Sequence, residues 1–85
     1  MKYSAEATEI VNGAFNFPDR IKTSVEKHQH NYQAIALDAV KIYAENYADN
    51  EWVESISENQ ELMTLITGKV MEALPTIGIK IQLSR

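Results

Sequence analysis

Two histidines, five serines and a dense run of carboxylates are the side chains in this 85-residue chain that could do chemistry. His28-x-His30 invites a metal reading. On a helix, however, residues two apart diverge by about 200° and cannot close on one ion. Zinc would need further ligands, and the chain has no cysteine and no HExxH-like spacing to provide them. The serines (4, 24, 55, 57 and 84) stand in no nucleophile motif. Gly13, Gly68 and Gly78 are too scattered to form a phosphate-binding loop. Glu54, Glu58 and Glu61 fall at i,i+4 and i,i+3 spacing, which acid–base chemistry could use, but a solvated acidic face explains them more simply. No catalytic residue, metal or cofactor is assigned, and no enzyme activity is expected.

The carboxylates matter more for where they sit. Between Lys41 and Lys69 lie Glu45, Asp49, Glu51, Glu54, Glu58 and Glu61, with no Lys, Arg or His among them. Trp52, the only tryptophan, sits inside the run. Residues 1–41 are balanced, so the formal net charge of −4 comes from this block. A localised negative field attracts basic partners and repels nucleic acid. The expectation is a partner-binding surface made of the six carboxylates and Trp52, facing a basic protein, of which a nucleic-acid-binding protein is one candidate. In that role the chain would act as a stoichiometric regulator or inhibitor, of the kind that phages and other mobile elements encode. A solvated face competes with that reading, and Trp52 separates the two: exposed it is an anchor, buried it is core.

Two alternatives come from other residues. Arg20, Lys22 and Lys27 could make a small basic patch for weak nucleic-acid binding, although a pI near 5.0 argues against it. Ile79, Lys80, Ile81 and Gln82 could offer a free strand edge through which two copies assemble into a homodimeric accessory subunit.

These residues need elements to hold them. At 45% hydrophobic, the chain can build one core in a single domain, 1–85. Its start, Met1-Lys2-Tyr3-Ser4, lacks the apolar stretch of a signal peptide, and no apolar run is long enough for a membrane. A cytoplasmic protein without membrane contact is expected. Asn12-Gly13 predicts a type I′ hairpin over residues 8–17, with Thr8, Ile10, Phe15 and Phe17 on one face. A competing reading makes residues 5–14 a helix capped by Ser4, with Tyr3, Ala7, Ile10 and Ala14 at helical spacing.

Pro18 and Asp19 suit a helix start. Apolar periodicity then predicts a helical arm over 19–47, with a break near 28–31 where Asn31 can cap a second segment. Tyr32, Tyr43 and Tyr47 fall on its apolar stripe and read as core. A second arm is predicted over 50–74, in which a core role is available to Trp52, Val53 and Ile56, with a restart near Ser57 in a Ser57–Gln60 capping box. Alternation of Ile77, Ile79, Ile81 and Leu83 predicts a strand over 77–83. The assembled expectation is an α+β domain of order β-β-α-α-β, a three-stranded antiparallel sheet packed with a helical hairpin. Its alternative is mostly α with one C-terminal strand.

Overall fold

The computed structural model describes residues 3–81, and their regular structure is entirely helical. Five α-helices run in order: α1 Ser4–Ala14, α2 Pro18–His28, α3 Tyr32–Tyr47, α4 Asn50–Glu58 and α5 Gln60–Ala73, followed by a 3₁₀ turn, Leu74–Ile77. α1, α3 and α5 pack on one another. Ile10, Ile35, Val40, Leu62, Ile66 and Val70 meet in their shared core. α2 leans on α3, and α4 lies against α3 and α5.

The expected α+β architecture is therefore corrected: among the described residues there is no strand and no sheet. The hairpin over 8–17 is replaced by α1, which runs straight through Asn12-Gly13. A type I′ turn needs positive φ at both positions, and neither has it. Burial decides this contest. As a helix, the segment hides Ala7, Ile10, Val11 and Ala14 on one face. Burying an isoleucine and a valine alone is worth about 1.5–3 kcal/mol each, whereas a glycine inside a helix loses only about 1 kcal/mol. Ser4 does not cap this helix; it is the first helical residue, and Thr8 Oγ1 donates to its carbonyl.

Gly13 has a tertiary reason to be there. The Tyr43 ring lies so close that a Cβ on residue 13 would come within 2.5 Å of Tyr43 Cδ1. The signal read as a turn is a seat for an aromatic ring.

α2 begins on Pro18, with Asp19 in its first turn where the helix dipole favours an anion. It ends in two left-handed residues, Gln29 and His30 (φ 52° and 63°), with His30 N–H donating to the Val25 carbonyl. Three Asx caps then start the remaining helices. Asn31 accepts from Ala34 N–H, Asp49 from Trp52 N–H and Asn59 from Leu62 N–H. The restart expected at Ser57 is made by Asn59; Ser57 is inside α4, its hydroxyl donating to the Glu54 carbonyl.

The strand expected over 77–83 is also corrected. Alternation is present, since Ile77, Ile79 and Ile81 pack on the core while Gly78 and Lys80 are exposed. With α1 in place of a hairpin, however, there is no strand among the described residues to pair with. The segment turns at Gly78 (φ 85°), a conformation glycine takes without strain, and Ile79 N–H donates to the Leu74 carbonyl. Residues 79–81 form an irregular strap across the core, so the proposed strand edge at Ile79, Lys80 and Ile81 loses its backbone; Gln82 and Leu83 lie outside the described residues.

Candidate functional site

The six carboxylates of the acidic block are exposed, but they are not equivalent. Glu45 is taken: Arg20 Nη1 and Nη2 donate to its Oε1 and Oε2, each at 2.8 Å. These hydrogen bonds hold the Glu45 carboxyl below the usual carboxylate range. Asp49 is also used locally, as the α4 cap at 2.9 Å from Trp52 N. Glu51, Glu54, Glu58 and Glu61 remain, and among the described residues none has a cation at ion-pair distance. Lys41 lines the same cleft as Glu45, Asp49 and Glu54 without closing on any of them.

At 100° per residue, Glu51, Glu54 and Glu58 fall within an arc of about 60° on α4. That arc points away from Val53 and Ile56, which pack inward. Two positions on this stripe lower helix stability. Glu54 and Glu58 repel at i,i+4, and Glu58 is the last residue of α4, at the negative end of the dipole. Glu51 and Glu61 occupy first turns, where an anion is favoured.

Trp52 falls between the two readings set for it, half-buried against the core. It belongs to an aromatic row. Its ring centroid lies 5.5 Å from that of Tyr43, and Tyr43 lies 4.8 Å from Tyr47, both pairs tilted. Tyr43 OH donates to Glu9 Oε1 at 2.9 Å. Partial burial, and then this bond, push the phenol above its ordinary range. Tyr47, read from the sequence as core, is 61% exposed.

No family model, curated protein or solved structure matches this chain. Its function is therefore read from its own geometry.

The basic trio does not form one patch. Arg20 and Lys27 line a cleft between α2 and α3, together with Lys41, and Arg20 is held by Glu45. Lys22 instead lines a groove on another side, with His30 and the strap residue Lys80. The two histidines also diverge. His30 Nδ1 approaches Tyr32 OH at 3.3 Å, while His28 Nε2 lies 3.0 Å from Asp38 Oδ2.

That last contact belongs to a cluster the sequence reading missed. Buried Ser24 donates from Oγ to the same Asp38 oxygen at 2.7 Å. Serine, histidine and aspartate are in contact, but in the wrong order for nucleophilic catalysis: the hydroxyl points at the carboxylate, and no imidazole is placed to take its proton. The cluster instead ties α2 to α3. Its only sequence signal is the i,i+4 spacing of Ser24 and His28 on one face of α2.

Proposed function

We propose that this chain acts without catalysis, as a binding protein that offers the acidic stripe of α4 and the start of α5 to a basic partner protein in the manner of a stoichiometric regulator or inhibitor. One observation carries the reading: Glu51, Glu54, Glu58 and Glu61 are exposed with no cation at ion-pair distance among the described residues. A face that served only solubility would gain from a lysine at Glu58, where the present charge opposes the helix dipole and repels Glu54. A partner bringing Lys or Arg would remove both penalties on binding. Such a partner is protein rather than nucleic acid, since phosphates would be repelled.

The test is affinity capture from the native cell, with a Glu51→Lys, Glu54→Lys, Glu58→Lys variant as the matched control. The expected result is a basic protein retained by the natural chain and lost by the variant, while both give the same helical circular dichroism. Equal retention by the two would reject the acidic stripe as the binding surface.

A further inference from the structure

Tyr43, Tyr47 and Trp52 have the makings of a recognition surface in their own right. The row is held rigidly in its middle: Tyr43 lies against Gly13, is tethered to Glu9 through its hydroxyl, and is flanked by the other two rings. Its outer end is uncovered, since Tyr47 is 61% exposed. A large ring left in water beside two partly buried ones is contact area that this chain does not use itself.

The surroundings favour a cation. Gly13, near the end of α1, lies beneath Tyr43 and beside Tyr47, so α1 and α3 finish at the same end of the molecule. Each helix C-terminus carries partial negative charge, and neither helix has a basic residue in its last turn. Glu9 adds a carboxylate at the Tyr43 hydroxyl. Asp49 and Glu51 bracket the start of α4 beside Trp52. Ring faces, the C-terminal ends of α1 and α3 and the carboxylates thus combine their fields at one place, where Asp49 and Glu51 also offset the positive start of α4.

We propose that this aromatic row seats an arginine side chain of the basic partner, the guanidinium stacking on the exposed Tyr47 ring at the open end of the row, with the exposed Glu9 carboxylate at the Tyr43 hydroxyl as a counter-charge. The proposal rests on the acidic-surface reading and names the group that would anchor it. Arginine fits better than lysine. Its planar, weakly hydrated fork stacks on a ring and can also donate to a carboxylate, whereas an ammonium stays solvated as a point charge. The acidic stripe would then steer the partner in, and the row would select arginine.

The experiment titrates short oligo-arginine and oligo-lysine peptides of equal length, reading Trp52 fluorescence and intermolecular contacts in NMR spectra. The natural chain should bind the arginine peptide more tightly. Contacts are expected between guanidinium-side protons and the Tyr47 ring. Tyr47→Ala should weaken arginine-peptide binding about three- to tenfold and leave lysine-peptide binding nearly unchanged; Tyr47→Phe should restore it. Glu54→Lys with Glu58→Lys should weaken both peptides alike. Equal affinity for the two peptides, or full affinity in Tyr47→Ala, would overturn the arginine seat. If Glu54→Lys with Glu58→Lys still lowered both affinities in that case, the acidic surface would survive without the seat. The NMR contacts in the natural chain decide the matter independently of how any variant folds: peptide binding without ring contacts rejects the seat.

Discussion

Gly13 and Gly68 both lie inside helices, and the space around each sets opposite expectations for the same substitution. At Gly68 an added Cβ meets nothing within 4 Å, so Gly68→Ala should gain helix propensity and stabilise the fold by about 0.5–1 kcal/mol. At Gly13 the new methyl would fall 2.5 Å from Tyr43 Cδ1 and 2.9 Å from Cε1. That ring cannot swing aside cheaply, being bonded to Glu9 and packed between Tyr47 and Trp52. Overpacking of this kind loses about 1–3 kcal/mol, which outweighs the propensity gain, so Gly13→Ala should be destabilised. Urea unfolding checks both; a Gly13→Ala protein more stable than the natural one would mean that Tyr43 is not held as described. Arg20 and Glu45 give a second expectation at this scale. Because the folded Glu45 carboxyl titrates below its unfolded value, the pair's contribution is present above the ordinary glutamate range and is lost as pH falls through the lowered value. In Arg20→Gln, the Glu45 carboxyl followed by NMR should titrate at higher pH than in the natural chain. An unmoved midpoint would show that the pair does not persist in solution.

Element by element, the helices wrote themselves into the sequence more clearly than their assembly did. The 3.6-residue stripe of α3, the Pro18 start of α2 and the Asn31 cap are local signals, and each is satisfied within a few residues. Asn12-Gly13 and the alternating isoleucines are equally local, but what they mean depends on distant groups. The glycine answers to Tyr43, thirty residues away, and the alternation at Ile77, Ile79 and Ile81 becomes a strand only if another strand exists to pair with it. The candidate site divides the same way. Its charges could be counted in the chain, whereas the aromatic row needs α1, α3 and α4 side by side, and the loss of Glu45 to Arg20 needs α2 on α3. α4 also makes a prediction of its own. Glu58→Lys replaces an anion at the negative end of the helix with a cation and turns the Glu54 repulsion into an attractive i,i+4 pair. The two effects together should raise stability by about 1 kcal/mol, which for a domain of this size is roughly 4–8 °C in Tm. The same variant should bind a basic partner less well. A residue whose replacement improves the fold and harms binding is kept for binding; if Glu58→Lys stabilised the fold and left binding intact, the charge would be serving neither end.

For the whole molecule, the question is whether net charge or its placement governs association. A chain of −4 with its charge evenly spread would attract any polycation weakly, and the attraction would fade over about 10 Å in 0.1 M salt. Here four of the unpaired carboxylates, Glu51, Glu54, Glu58 and Glu61, are gathered on one helix and the start of the next, so a docking partner meets several of them within a screening length. Two triple variants separate these cases. Glu51→Lys, Glu54→Lys, Glu58→Lys and Asp19→Lys, Glu26→Lys, Glu72→Lys both reverse three exposed carboxylates, moving the formal net charge from −4 to +2. Only the first removes the stripe. If placement governs, the association rate of an oligo-arginine peptide with the first variant should fall by about tenfold or more at low salt. The second should retain most of the natural rate and its steep decline as salt is added. Stopped-flow fluorescence from Trp52 measures both, because neither variant replaces that residue. Equal losses in the two variants would mean that the peptide responds only to total charge, and the acidic stripe would be an ordinary solvated face.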